Sequence, residues 1–404
     1  MTTVPHATAP AGQGSEAATR NAGIDALRGL AILLVVLHHL ALRLPLKQGL
    51  LAEILPPRVV NALGYNGYEA VFVFFVISGF LIATTSLERW GSLDRIDIGA
   101  FYARRFARIA PCLVLLVAVL AALHLAGAAD YVIAREGQSL PRAIGAALGF
   151  HLNWYEGATG YLPGSWDVLW SLSIEEAFYL GFPLLCLALR RERWLVAVML
   201  PLALSLPLTR AALAGSEIWQ EKAYLPGMAA IATGVLAALV AARPTPHPAR
   251  LPALLLLAGA IGLVAVLLYE GLLWRSLGNG TLLVLTGASA SLVLGLHWRA
   301  AQGRTTALPG LGWLRSLGRL SYEVYLTHMF VVFGIVALAK AAGSDPRHAF
   351  AWYLPAVLLA WLLGALLAHG FSIPCDRWLR RRLLQPAAPV RRIGAPGGVD
   401  QAAG

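Results

Sequence analysis

Apolar residues along this chain neither alternate nor keep to one helical stripe. They gather into unbroken runs of about twenty, divided by short polar links. Such runs fall near residues 24–44, 68–88, 107–128, 168–189, 194–212, 223–242, 251–269, 280–298, 320–341 and 350–372. Each is long enough to cross a hydrocarbon core of ~30 Å as a helix. The pattern predicts an all-α, polytopic membrane protein with about ten transmembrane helices over 23–385. Residues 1–22 are rich in Ala, Thr and Gly, and 386–404 are rich in Pro and Gly. Both read as disordered cytoplasmic tails, and the first lacks the charged and apolar regions of a cleaved leader.

One more apolar stretch, 141–154, is short and ends in Asn153-Trp154. Whether it crosses decides the orientation of everything after it. If it does not cross and the N-terminus is cytoplasmic, 22 of the 32 basic residues fall inside, including Arg104, Arg105 and Arg108, Arg190 to Arg193, and Arg377 to Arg382. If it crosses, the later arginine clusters move outside. The stretch is therefore expected to be a re-entrant or surface helix, with both termini cytoplasmic.

Composition agrees. Some 58% of residues are hydrophobic and 13% charged, about half the charge of a soluble domain. The net charge of +11 sits in loops between apolar runs, which argues for membrane topology and against a nucleic-acid partner. Cys112, Cys186 and Cys375 are widely spaced, so neither a disulfide framework nor a metal site is expected.

Against this apolar background a few polar residues stand out. The first run begins Asp25-Ala-Leu-Arg28-Gly29 and reaches His38-His39. Eleven residues of helix leave Arg28 and His39 ~20° apart around the axis and ~16 Å apart along it. His38 points about 100° away. Ionisable residues at membrane depth usually face the bundle interior; equally, Arg28 can be a topological anchor and His39 a packing residue. Ser78 and Gly79, in Val73-Phe-Phe-Val-Ile-Ser78-Gly79-Phe80, suit close approach of a helix or a ligand. Arg105 and Arg108 share a helix face at the start of the third run, where paired guanidinium groups suit phosphate and where basic residues collect in any case. Glu175 and Tyr179, in Trp170-Ser-Leu-Ser173-Ile-Glu175-Glu176-Ala-Phe-Tyr179, share a face at the outer end of the fourth run. Interfacial anchoring explains the aromatic residues there but not the carboxylate, whose natural partner is a histidine. His328, in Ser321-Tyr-Glu-Val-Tyr-Leu-Thr-His328, is a second intramembrane imidazole, expected nearer the inside.

Together these segments resemble the membrane-bound acyltransferase family 3, whose members O-acylate bacterial surface polysaccharides and some small molecules. The likeness runs from about Asp25 to Arg382 in the family's order. Arg28 and His39 match an Arg-x10-His signature. Phe74-Phe75-Val-Ile-Ser78-Gly79-Phe80 and Arg105-Phe-Ala-Arg108 match two more motifs, and the Trp170 to Tyr179 and Ser321 to His328 blocks complete the five. The resemblance implies transfer of an acyl group, most plausibly acetyl, from acyl-CoA as co-substrate to a hydroxyl of a surface or lipid-linked carbohydrate, in the bacterial cytoplasmic membrane. No permanently bound cofactor or metal is implied. His39 would be the base, or a covalent acyl carrier; Glu175 would orient an imidazole; Arg28, Arg105 and Arg108 would hold the donor's phosphates. Ser78, Gly79, Tyr179 and His328 would support them. Two departures stand out. Ser372 occupies a place where relatives often carry Glu, and no extracytoplasmic esterase-like domain follows, so the chain is expected to be the family's stand-alone type, or to rely on a separate extracytoplasmic transferase partner. A glycan transporter or flippase is the alternative reading, since buried Arg, His and Glu also mark transport paths. A glycan polymerase is disfavoured by the lack of a large outer loop.

Overall fold

The computed structural model describes residues 20–243 and 248–384, and every regular element among them is helical. Both expected tails lie outside the described residues apart from residues 20–22, where the first helix already begins. Ten principal helices follow the apolar runs: α1 (Ala22–Ala41), α2 (Gly67–Trp90), α3 (Ile98–Leu125), α4 (Leu169–Leu189), α5 (Glu192–Leu204), α6 (Tyr224–Ala241), α7 (Leu251–Leu277), α8 (Thr281–Ala301), α9 (Ser321–Ala341) and α10 (Tyr353–Leu367). The chain is thus an all-α polytopic membrane protein.

Local chemistry sets the ends. The Asn21 side chain accepts from the Gly23 and Ile24 amides (3.0 and 3.2 Å) and starts α1. Asp97 accepts from the Ala100 amide (2.9 Å), so α3 begins at Ile98, nine residues before the apolar run, and carries the arginines within it. Gly91 closes α2 with φ 76°, a conformation costly for any residue with a Cβ.

Eight described stretches are long and apolar enough to cross a membrane. One of them, Leu251–Ala301, holds both α7 and α8, which pack side by side after a turn at Gly278–Gly280. The run expected at 194–212 is broken. α5 stops at Ser205 and Leu206–Ala211 resumes with Pro207 in its first turn, because proline offers no amide to carry the helical ladder across the junction. Beyond α10 the helix continues through a π turn at Ala368–Ser372 into Ile373–Leu383, eleven residues past the expected end. The 141–154 stretch forms two short helices, Leu140–Leu148 and Leu152–Thr159, split at Phe150, whose φ is 56°. At 1.5 Å per residue neither reaches half-way across a ~30 Å core.

Burial sorts the helices. α1 lies at the centre, packed by α2, α9 and the short helices Pro57–Tyr65 and Gly312–Arg319. α7 is peripheral and exposes Leu254, Leu257, Ile261 and Val264, an apolar stripe that lipid would cover. α2 and α6 meet through glycines on both sides. A Cβ on Gly79 would lie 1.9 Å from the Ile231 carbonyl oxygen, and one on Gly234 would lie 2.0 Å from that of Val76. Gly79 is therefore a packing residue that lets two backbones touch.

Candidate active site

Two cavities penetrate the bundle, and a narrow chamber lies between them. The first, of about 600 Å³, is lined by eight arginines, among them Arg28, Arg89, Arg105, Arg108 and Arg319, against the four carboxylates of Asp25, Glu175, Glu176 and Glu323. The second, of about 940 Å³, is lined by His38, His39, Tyr68, Glu69, Trp170, Arg210, Trp274 and Tyr325, with Asp167, Glu221, Lys222 and Glu270. The chamber, of about 90 Å³, shares Arg28, Ser78 and Glu175 with the first cavity and Val71 and Tyr325 with the second; Phe74, Phe75, Ile77 and Leu326 make it largely apolar.

The arginine cavity gathers six of the nine expected site residues, though not in the expected pairings. Arg28 donates to the Ser321 hydroxyl from two nitrogens (2.7 and 3.2 Å). Arg105 lies 3.7 Å above the Tyr179 ring and donates to Glu176 (3.3 Å). Arg108 grips both oxygens of Glu323 (2.8 and 3.4 Å), and the Ser372 hydroxyl donates to the same carboxylate (2.7 Å). Arg105 and Arg108 are thus already held by carboxylates, whereas Arg28, Arg89 and Arg319 form no ion pair among the described residues. Glu323 on α9 is thus the carboxylate that Arg108 meets, and Ser372 is bonded to it.

Glu175 accepts from the hydroxyls of Ser78 and Tyr179, the latter at 3.4 Å. The expected Glu175–imidazole pair is not formed. Glu175 sits beside Arg28, near the start of α1, whereas His39 is three turns further along that helix. The i, i+4 relation to Tyr179 holds.

The histidines gather around the second cavity. The rings of His39 and His328 are 5.1 Å apart, and those of His39 and His38 are 5.4 Å apart. His328, expected nearer the Arg28 end, thus adjoins His39. It is fully buried, and its Nδ1 lies 2.7 Å from the Tyr325 carbonyl oxygen. The Tyr325 hydroxyl donates to the Val168 carbonyl (2.9 Å), so the Ser171 hydroxyl is the donor in its 2.7 Å contact with Tyr325. His38 faces the cavity too, yet its ring rests on Gly67, where a Cβ would come within 2.4 Å of it.

Sequence reasoning missed the rest of this cavity. Arg210 is wedged between the rings of Tyr68 and Trp274, each 5.0 Å away, and donates to Asn279 (3.0 Å). Lys222, 2% exposed, is held by Glu156 (2.9 Å) and Asp167. This cluster ties the short helices Leu152–Thr159 and Glu217–Lys222 to the residues before α4. Burial, with Asp167 beside it, pushes the Glu156 carboxyl well above the usual carboxylate range despite Lys222. Glu69, 3% exposed, also lines the cavity. The rule that singled out Glu175, a carboxylate inside an apolar run, applies equally to Glu69 and Glu323.

Comparison with known proteins bears on what such a bundle does. The family model described as an acyltransferase domain (Acyl_transf_3) matches residues 21–369. The "Peptidoglycan O-acetyltransferase OatA" of Listeria monocytogenes serovar 1/2a (strain ATCC BAA-679 / EGD-e) is 26% identical over 212 residues, 50% of this chain and 29% of that protein. The "O-acetyltransferase OatA" of Staphylococcus aureus (strain NCTC 8325 / PS 47) is 28% identical over 174 residues, 40% of this chain and 24% of that protein. The chain thus spans about a quarter of the length of these relatives. No solved structure matches it. With the match extending from the start of α1 into the π turn after α10, the chain belongs to this acyltransferase family.

Proposed function

We propose that the protein is a membrane O-acyltransferase that moves an acetyl group from acetyl-CoA to a carbohydrate hydroxyl. The observation that carries this reading is the pairing of two chemically opposite cavities across one narrow apolar chamber. The arginine cavity suits the phosphates of a coenzyme A thioester, with Arg28, Arg89 and Arg319 available and Arg105 and Arg108 reachable only in competition with Glu176 and Glu323. The histidine cavity, with Tyr68, Trp170 and Trp274 beside several carboxylates, suits a sugar, whose apolar faces stack on rings and whose hydroxyls donate to carboxylates. The name of the Listeria relative, a peptidoglycan O-acetyltransferase, supports the carbohydrate class.

In this reading the thioester reaches through the chamber toward His39. The acceptor oxygen attacks the thioester carbonyl carbon, an O–C bond forms, and the C–S bond breaks. His39 takes the hydroxyl proton and returns it to the departing thiolate, so the products are an O-acetyl ester and the free thiol of coenzyme A. The arginine cavity opens to the cytoplasm and the histidine cavity to the outside, in a bacterial cytoplasmic membrane with both termini inside. The basic residues support that orientation.

Membranes containing the full chain, incubated with acetyl-labelled acetyl-CoA, test the reading. The expected result is label in alkali-labile ester linkage to envelope glycan, with matching release of thiol. Label that stays on the thioester, with the protein present, would favour a transporter and overturn the proposal.

A further inference from the structure

Resting on the reading of His39 as the base, we propose that His328 is its positioning residue: the His328 Nε2 accepts a hydrogen bond from His39 and so fixes which His39 nitrogen meets the acceptor hydroxyl.

Three observations converge. First, His328 Nδ1 lies 2.7 Å from the Tyr325 carbonyl oxygen. A carbonyl oxygen only accepts, so Nδ1 carries the hydrogen and Nε2 holds a bare lone pair. Second, that Nε2 is buried and has no partner among the described residues, and a buried polar atom left unmatched is costly enough to need a reason. Third, the His39 ring is 5.1 Å away between centroids. Two imidazoles joined by one N–H···N bond have centroids about 5 Å apart, a bond of about 3 Å plus about 1 Å within each ring.

The arrangement has a chemical consequence. A neutral imidazole carries one hydrogen and one lone pair, and only the lone pair can take a proton from the acceptor. If His328 Nε2 holds the His39 hydrogen, the opposite His39 nitrogen is free toward the cavity that His39 lines. When His39 accepts the hydroxyl proton, the same bond stabilises the imidazolium without the proton moving further. His328 touches neither substrate, and the His328 ring is 0% exposed. The side chain is locked through Tyr325, whose hydroxyl is fixed on Val168.

Two substitutions separate positioning from packing. His328→Gln keeps a polar atom near the Nε2 position, and its amide oxygen accepts a hydrogen bond. His328→Met fills similar volume but offers no comparable acceptor. Rates are measured as labelled acetyl transferred from acetyl-CoA to envelope glycan, in membranes with equal amounts of each variant. His328→Met is expected to lower kcat by about 10- to 100-fold, the worth of one hydrogen bond to a charged group, with KM for acetyl-CoA little changed. His328→Gln is expected to recover most of that loss. In a His39→Gln background, itself nearly inactive, the Met substitution is expected to cost nothing more. Equal activity of the Met and Gln variants, or a full additional loss in the His39→Gln background, would overturn the positioning role. An active His39→Gln enzyme would instead overturn the underlying reading of His39.

Discussion

At the scale of single residues, the family motifs translate unevenly into contacts. Arg108 is bound to Glu323 and Ser372, and Arg105 to Glu176 and Tyr179. A phosphate arriving at either would share the guanidinium with a buried carboxylate, so in the proposed donor site these arginines would act through fixed geometry more than through free charge. Lysine keeps the charge but loses the planar fork that grips two oxygens. The Arg105→Lys, Arg108→Lys double variant is expected to bind acetyl-CoA at least about tenfold more weakly while remaining inserted at normal abundance. Equilibrium binding of labelled acetyl-CoA checks this, and wild-type affinity would exclude these arginines from the donor site. The sequence pointed to both arginines because a pair on one face at a helix entrance is visible in spacing. It did not point to their carboxylate partners, because Glu323 is 215 residues from Arg108 and only the fold joins them. Glu175 shows the same limit. Its burial needed a partner, and the fold supplied the hydroxyls of Ser78 and Tyr179 in place of an imidazole.

At the scale of helices, apolar runs locate α1 to α10 but not their ends. α3 starts nine residues before its apolar run because Asp97 caps it, and the segment after α10 extends because Ile373–Leu383 continues the helix with charged residues. Neither extension changes hydropathy in a way a run of apolar residues can report. The 141–154 stretch is the element on which orientation depends. Its division into helices of nine and eight residues means that neither helix alone spans ~30 Å, and the basic residues favour the reading in which the stretch does not cross. Reporter fusions after Arg193, Arg250 and Arg382 are therefore expected to lie on the cytoplasmic side, and fusions near Glu217 and Arg347 outside. A fusion after Arg193 that reports the outside would show that 141–154 crosses.

At the scale of the whole molecule, the bundle holds an arginine cavity and a histidine cavity apart by a small apolar chamber, and α1 carries a reporter of each. Arg28 lines the first and His39 the second. Separation of donor and acceptor chemistry by ~16 Å of one helix gives the proposed reaction its geometry: the thioester must travel to the histidine. The measurement that tests this most directly is acetyl transfer by His39→Gln, present in membranes at wild-type abundance and supplied with labelled acetyl-CoA. Glutamine keeps the size and hydrogen bonding of the imidazole but cannot take a proton at neutral pH. The account predicts that the rate of ester formation falls by about 10²- to 10⁴-fold, while His38→Ala keeps substantial activity. Ester formation by His39→Gln at near wild-type rate would contradict it.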